Sequence, residues 1–254
     1  MYSRLKILKI KHLTKLLLTL LLCLFSIQGF AGPPYDTDDP EPVGFHHWEF
    51  YCSSIGAGDG HIWLGTAPHI EINYGAVPNI QIHVIAPLSF YSENRSKTNY
   101  GYGDSEFGIK YRFVNKDSSR FQIGTFPLIE IPTGNPSENI GNGKPQFYIP
   151  IWIQYSFGKW TTYGGAGYWI NQGSGNRNYT FIGWQAQCQI FKKASIGGEI
   201  YYLTPNQIGG NSDLRFRVGS VLDFNEHNHL LISIGRSIVG DTKLLWYLGY
   251  QVTV

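Results

Sequence analysis

The sequence is poor in charged residues and in long apolar runs. Lys, Arg, Asp and Glu make up 15% of its 254 residues, whereas an average soluble domain contains about a quarter. Beyond the N-terminal segment no apolar run reaches the length of roughly eighteen residues that predicts a transmembrane helix. There is also no Gly-rich phosphate loop, nucleophile elbow or zinc-protease motif. These absences argue against a cofactor-binding domain and against the common hydrolase classes.

The first 31 residues have the three-part pattern of a secretory signal peptide. Five basic residues from Arg4 to Lys15 precede a short apolar stretch, Leu16–Phe25, and Gly29–Ala31 supplies the small residues of a cleavage site. The alternative is a membrane anchor, but about ten apolar residues are too few for a span of roughly twenty. We therefore predict export with cleavage after Ala31. This removes five basic and no acidic residues, which changes the formal charge from +2 to −3 and leaves nucleic-acid binding unsupported.

Glycine and aromatic residues are abundant instead, with 30 Gly and 15% Phe, Trp and Tyr. From Trp48 to Val254, apolar and polar residues alternate with the period of a β-strand. In Ile182–Ile190, for example, every second residue is apolar and the positions between them are glycine or glutamine. The pattern predicts twelve strands, at 46–57, 62–74, 79–89, 104–114, 120–131, 146–157, 160–171, 178–191, 194–204, 213–224, 229–237 and 243–254.

The predicted fold class is all-β, a transmembrane antiparallel β-barrel of about 12 strands over residues 46–254. Strands of this length suit the nine to eleven residues, approximately, that a tilted strand needs in lipid. A barrel must close, because an open edge leaves backbone groups unsatisfied. We predict the outer membrane of a Gram-negative bacterium as the location and its lipid as a partner. A ring of aromatic residues supports this prediction, since they fall at the outward-facing positions of the strands next to the short turns: Trp48, Tyr74, Phe113, Phe121, Phe157, Trp160 and Phe224.

The lengths of the connections alternate as in outer-membrane proteins, with short periplasmic turns and longer extracellular loops. Short connections are predicted at 75–78, 115–119, 158–159, 192–193 and 225–228, and long ones at 90–103, 132–145, 172–177 and 205–212. The first connection, 58–61, is short and fits less well. Cys52 and Cys188 fall on the outward face and are predicted to be free rather than bonded. Four prolines inside strands predict bulges or bends: Pro68, Pro87, Pro127 and Pro150.

The inward face of the predicted barrel is polar and charged. Barrels of about eight strands are filled by their side chains, whereas barrels of about sixteen or more leave a channel. Because twelve strands lie between these numbers, the inward face forms either a pore or binding cleft, or a structural network that fills the barrel. The candidate lumen-lining residues are Glu49, Glu71, His83, Glu106, Lys110, Arg112, Gln154, Gln185, Gln187, Gln189, Glu199, Arg215, Arg217 and Arg236.

Residues 32–45, here called the lead segment, are rich in proline and acidic residues, which excludes a lipid-embedded strand. We hypothesise that the segment packs into or across the periplasmic mouth and pairs its carboxylates with lumen Arg and Lys. The alternative is a disordered tether, as chain ends often are.

Several motifs together resemble a known family. They are Gly32–Pro42, His47–Tyr51, Gly103–Phe113, Ser156–Gly165 and Asp223–His229. In these the chain resembles the outer-membrane barrels of the meta-pathway phenol-degradation family, often labelled transporters, over essentially its whole mature length. The resemblance implies a role in the passage of hydrophobic or aromatic compounds and implies no particular set of functional residues.

The sequence therefore predicts a passive channel, transporter or binder for a small hydrophobic or aromatic compound, without catalytic residues, metal or cofactor. Two alternatives stay open: a barrel hydrolase, and a structural or surface-interaction barrel whose loops contact partners. The oligomeric state is not determined. Candidates for hydrolytic or metal chemistry are Asp38, Asp39, Asp59, His61, His227 and His229.

Overall fold

A computed structural model describes residues 32–94, 97–116 and 120–254, so the predicted signal peptide lies outside the described residues. The chain forms a closed antiparallel barrel of twelve strands, which confirms the predicted fold class. The strands are β1 Trp48–Gly58, β2 Ile62–Val77, β3 Ile80–Glu93, β4 Asn99–Tyr102 with Ser105–Lys116, β5 Phe121–Thr125 with Leu128–Ile131, β6 Gln146–Phe157, β7 Trp160–Asn171, β8 Tyr179–Phe191, β9 Ala194–Leu203, β10 Asp213–Asp223, β11 Asn228–Val239 and β12 Leu244–Thr253.

Pairing between the first and last strands closes the barrel. β1 runs antiparallel to β12, from Glu49 opposite Thr253 to Gly58 opposite Leu244. Each strand thus has a neighbour on both sides, and the backbone polar groups of the wall are satisfied within the sheet, as a spanning structure in lipid requires. Among the described residues, no helix is long and apolar enough to cross a membrane.

Side chains alternate between the two faces as the sequence predicted. On β8, Trp184 is 55% exposed on the outer face while its neighbour Gln185 is completely buried in the lumen. The outer face carries many exposed Ile, Leu, Phe, Tyr and Trp side chains, an apolar surface far larger than a soluble protein tolerates in water. Near the short turns, Trp48 stacks on Tyr74 with ring centroids 4.2 Å apart. Cys52 is free and exposed on the outer face, and Cys188 is also free.

Three of the four strand prolines mark irregularities in the sheet, as expected, whereas the strand and its register with β7 continue through Pro150. The register of β2 shifts between Thr66 and His69, around Pro68. β5 is divided at 126–127, where Pro127 lies. β4 is divided at 103–104, which lies opposite Pro87. The Pro87 carbonyl there accepts a hydrogen bond from the Gly103 N–H (3.0 Å). Proline lacks the donor that a continuous ladder needs, so the ladder breaks or bulges at these points.

The connections at the two ends of the barrel differ. We call the ends the short-turn end, with two-residue turns at 78–79, 158–159 and 192–193, and the long-loop end, with loops at 132–145, 172–178 and 204–212. The loop at 132–145 contains a short 3-10 helix, Pro136–Glu138. It folds back on the barrel because Asp104 accepts hydrogen bonds from the N–H groups of Gly134 (2.8 Å) and Asn142 (2.6 Å). Ile140 of this loop is buried.

The exposed outer face leads to a first prediction. We expect Trp184→Arg to reduce folding stability in lipid by about 2–4 kcal/mol, the usual cost of a mid-membrane arginine on this face of a barrel. Trp184→Leu, which keeps the position apolar, is the control and is expected to change stability little. Urea titrations of folding into lipid vesicles measure both. Equal stability of the two variants would show that this position does not face lipid.

Candidate functional site

The lead segment lies inside the barrel. It enters from the short-turn end, where the His46 N–H donates to the Gly75 carbonyl (2.8 Å). From there it runs to the middle of the lumen, and Thr37 and Asp39 are completely buried. The segment therefore reaches deeper than the mouth position expected from the sequence. It takes the place of water in the centre of the lumen.

Polar side chains of the wall bind the backbone of the lead segment. Glu199 on β9 accepts hydrogen bonds from the N–H groups of Asp36 (3.0 Å) and Thr37 (2.8 Å). On β11 the Ser233 hydroxyl donates to the Pro34 carbonyl (2.6 Å). A proline-rich segment has few N–H donors of its own, so a few well-placed wall side chains can satisfy the backbone polar groups of an irregular, buried chain.

Ion pairs hold the acidic side chains of the lead segment. Arg217 Nη2 lies 2.9 Å from Asp36 Oδ2, and Arg112 lies 3.8 Å from Glu41. Gln122 and Gln154 donate their side-chain amides to Glu41 Oε2 at 3.0 and 3.1 Å. The predicted pairing between lead carboxylates and wall cations is thus present on β4 and β10, and glutamine amides of β5 and β6 add hydrogen bonds.

Lys110 on β4 is at the centre of the most buried group of charges. Its Nζ lies 3.0 Å from Asp38 Oδ1 and 3.5 Å from Asp39 Oδ2. Burial raises the pKa of the Asp39 carboxyl well above its ordinary value, and the positive charge of Lys110 opposes that shift. Removing one partner of a buried pair leaves an uncompensated charge, which typically costs about 3–5 kcal/mol. Lys110 is therefore a major determinant of where the lead segment lies.

Glycines on the inward face make room for the lead segment. A Cβ on Gly183 would lie 2.3 Å from the Thr37 hydroxyl oxygen, and one on Gly197 would lie 2.8 Å from the Tyr35 hydroxyl oxygen. At Gly124 a Cβ would lie 2.9 Å from a side-chain carbon of Pro40. All are tighter than ordinary van der Waals contact. Glycine in a strand often marks a close approach of another chain segment, and here that segment is the lead.

This contact leads to a second prediction. Gly183→Val should displace the lead segment, because its side chain would occupy the space of Thr37, and overpacking of this kind typically costs about 1–3 kcal/mol. Gly198→Val is the control, since a Cβ there meets no atom closer than 3.1 Å. Limited proteolysis of the lead segment in the folded protein is expected to be faster only in Gly183→Val. Equal cleavage of the two variants would argue against the contact.

A second polar group occupies the lumen beside β2, β3 and β4. His83 contacts Asn73 Oδ1 through Nδ1 (2.6 Å) and Glu106 Oε1 through Nε2 (2.9 Å). Asn73 in turn donates to Glu71 Oε1 (2.8 Å). The ring of Phe126 meets His83 edge-on at 5.1 Å and lies 5.0 Å from the Lys110 ammonium. The aromatic ring thus separates the two polar groups of the lumen.

Thirteen of the predicted lumen residues lie on the inward face. Five of them, Lys110, Arg112, Gln154, Glu199 and Arg217, bind the lead segment, and Glu71, His83 and Glu106 form the second group. The other five line the lumen around these two groups, and Gln185 among them interacts with the Tyr35 hydroxyl of the lead segment. They are Glu49, Gln185, Gln187, Gln189 and Arg215.

Arg236 is the exception and corrects the prediction. On β11 the buried, inward positions are Leu231, Ser233, Gly235 and Ser237, so Arg236 points outward, where it is exposed. The sequence-based choice relied on polarity alone. Close to the long-loop end, an arginine on the outer face can extend its charged group to the polar membrane surface, so polarity does not define the face there.

Above the lead segment, toward the long-loop end, lies a cavity of about 320 Å³. Its walls are mainly aromatic rings. Tyr148 stacks on Trp169 with centroids 4.6 Å apart, and Phe181 stacks on Tyr201 at 5.3 Å. Asp36 and Asp38 of the lead segment contribute to the lining. The other lining residues are Phe126, Leu128, Trp152, Tyr179, Leu203 and Arg215.

These rings were not among the predicted lumen residues, although the strand pattern contains the signal for them. Phe181 lies an even number of residues from Gln185, and Tyr201 lies an even number from Glu199, so each pair shares one face of its strand. The alternation of faces therefore already placed both rings inside the barrel. Large aromatic residues at inward positions are unexpected in a purely polar lumen. Their clustering near the long-loop ends of β6 to β9 forms a mainly aromatic cavity within the polar interior.

The residues considered for hydrolysis have structural contacts at separate places. Asp59 caps the turn between β1 and β2, and the N–H groups of Ile62 and His61 lower the pKa of its carboxyl. Asp38 and Asp39 bind Lys110 in the lumen. In the turn between β10 and β11, His227 Nδ1 contacts the Thr253 carbonyl oxygen (3.0 Å). Nothing in this arrangement joins a nucleophile to a base.

Comparison with known proteins relates the chain to outer-membrane barrels by fold. No family model matches the sequence, and no curated protein matches it. The solved COG4313 outer membrane channel from Pseudomonas putida F1 is similar, with a TM-score of 0.64 and 17% identity, over 89% of this chain and 100% of that one. The KdgM porin superposes with a TM-score of 0.54 and 11% identity, over 81% of this chain and 98% of that one. At these identities the likeness is one of fold.

Proposed function

We propose that the protein is an outer-membrane channel or binder for small aromatic compounds. In this proposal the exported, mature chain begins at Gly32, and the lead segment restricts passage through the lumen. Solute enters from the long-loop end and binds in the aromatic cavity above the lead segment. The cavity is the observation that carries the proposal, and the resemblance to the phenol-degradation family suggests the same class of solute.

The dimensions and chemistry of the cavity suit one small aromatic ring. An apolar cavity of about 150 Å³ is sufficient to bind benzene, and this one measures about 320 Å³. Stacked or edge-on aromatic pairs contribute about 0.5–1.5 kcal/mol beyond burial, and several rings of the wall are available. The guanidinium of Arg215 lies 6.0 Å from the Tyr201 ring centroid, where it can meet a polar substituent of the solute.

The alternatives have less support. A surface-interaction barrel would need neither an aromatic cavity nor a buried lead segment. A hydrolase would need a nucleophile and a base within hydrogen-bond reach. The mature lumen instead offers stacking surfaces and paired charges.

Titration of phenol and toluene into the purified protein, followed by tryptophan fluorescence, tests the proposal. Phe181→Leu and Tyr201→Leu should each weaken binding by roughly two- to tenfold, since each removes one stacking partner while conserving much of the side-chain volume. Phe157→Leu, which changes an outward ring that is 50% exposed, is the control and should bind as the wild type does. Unchanged affinity in both lumen variants, or no saturable binding at all, would contradict the proposal.

A further inference from the structure

Gly32, the residue that follows the proposed cleavage site, is buried beside two carboxylates of the lead segment. A group placed at its missing Cβ position would lie 3.8 Å from Asp38 Oδ1 and 3.9 Å from Asp39 Oδ2. The next residues fix its location, because the Pro34 carbonyl is bound by Ser233 (2.6 Å). The N-terminal end of the lead segment is thus held next to a concentration of negative charge.

This cluster lacks one positive charge. Among the described residues, Lys110 is the cation within ion-pair distance of Asp38 and Asp39. Asp39 is completely buried, and no described donor hydrogen-bonds to its Oδ2. With both carboxylates ionised, one ammonium leaves a net negative charge in a region shielded from water, which is unfavourable. The raised pKa of the Asp39 carboxyl, caused first by its burial, reflects the same cost. A second cation at this point would balance the cluster and favour the ionised form of Asp39.

Cleavage would supply that cation. Addition of water to the Ala31–Gly32 peptide bond gives a carboxylate on Ala31 and an α-amino group on Gly32. This amine is mostly protonated at neutral pH, since such groups have ordinary pKa values of about 7.7–8.0. Once free of the peptide bond, the nitrogen can rotate about the Cα–C bond into the position that a Cβ would occupy. Glycine has no side chain that obstructs this rotation.

We propose that signal-peptide removal completes the cluster: the α-ammonium group of Gly32 forms ion pairs with Asp38 and Asp39 and fixes the lead segment in the lumen. Removal of the signal peptide thereby couples export to occlusion of the lumen by the lead segment. An uncleaved chain has an uncharged amide at this position. The inference depends on cleavage after Ala31 and is independent of which solute the cavity binds.

Two insertions of the same dipeptide, Ala-Ser, distinguish the effect of the position of the ammonium group from the effect of inserting two residues. Inserted between Ala31 and Gly32, the dipeptide moves the new N-terminus two residues away from the carboxylates. Inserted between Phe25 and Ser26, it lies in the part that is removed and leaves the mature chain unchanged. N-terminal sequencing of protein from outer membranes establishes the first residue of each form. A wild-type chain that begins elsewhere than Gly32 would overturn the inference, whatever the solute-binding titrations show.

Reductive methylation of the folded protein at pH 7 then measures access to the α-amine. Ion pairing with the carboxylates raises the pKa of the amine, and an increase of one unit lowers the fraction of reactive neutral amine about tenfold. We therefore expect the amines of the wild type and of the upstream insertion to react at least about tenfold more slowly than that of a free peptide. The downstream insertion should react like the peptide and lose its lead segment to protease faster. In an Asp39→Asn background this difference should shrink. A wild-type amine that reacts at the peptide rate, or two insertions that behave alike, would overturn the inference.

Discussion

Deletion of Pro33–Pro42 is expected to raise single-channel conductance several-fold while the barrel remains folded. These residues occupy the centre of the lumen, and Thr37 and Asp39 are completely buried there. Their removal is expected to leave a water-filled path through the lumen, because a twelve-stranded wall is wider than the barrels of about eight strands that side chains alone fill. The wall itself closes through β1 and β12 and does not use the segment. Planar-bilayer recordings measure conductance, and heat-modifiable gel mobility reports folding.

The control for this deletion removes chain from a different place. Deleting residues 207–211 shortens an exposed part of the loop between β9 and β10 and should leave conductance close to the wild-type value. If the lead-segment deletion also conducts as the wild type does, the segment does not restrict passage. Rapid proteolysis of the segment in the intact protein would then favour the tether.

Lys110→Met should loosen the lead segment strongly. The substitution keeps an unbranched chain but leaves Asp38 and Asp39 without the cation that lies 3.0 and 3.5 Å from them. Breaking a buried pair in this way typically costs about 3–5 kcal/mol. The segment can avoid that cost by leaving the lumen, so we expect frequent long openings in bilayer recordings and rapid cleavage of the segment by protease.

Restoring charge balance provides the test of this explanation. Combining Lys110→Met with Asp39→Asn removes one charge of each sign and should recover much of the occluded state. Lys159→Met, in an exposed turn at the short-turn end, is a control for the loss of one positive charge. If the double variant opens as often as Lys110→Met alone, lost packing rather than unpaired charge is the cause.

The architecture of the wall could be predicted from the sequence because lipid and lumen impose opposite demands on neighbouring residues. Trp184 and Gln185 are adjacent, and their polarity alone placed one outside and one inside. The prediction was less accurate at the strand ends. β2 and β3 extend to Val77 and Glu93, beyond the predicted 74 and 89, because hydrogen bonding continues past the apolar belt that guided the prediction.

The path of the lead segment was predictable only in part. Its acidic composition predicted ionic contacts, and the structure contains pairs such as Arg217 with Asp36. Its depth depends on inward glycines such as Gly183, whose role emerges only when another chain segment lies against them. Glycine is neither clearly apolar nor polar, so the alternation of apolar and polar residues does not show which glycines face the lumen. The space that these glycines leave for the lead segment could therefore not be predicted from the sequence.

The position of the lead segment can be tested directly by the reactivity of a single thiol introduced by Thr37→Cys. Cys52 and Cys188 are first replaced by Ala, so that the new thiol is the only one in the mature protein. Because Thr37 is completely buried in the lumen, we expect a thiol reagent to label this cysteine only after the barrel is denatured. Lys159→Cys, in an exposed turn, is the control and should be labelled at once in the folded protein. If the cysteine of Thr37→Cys is labelled in the folded protein as fast as that of Lys159→Cys, the lead segment does not lie in the lumen, and the account given for the occluded lumen is wrong.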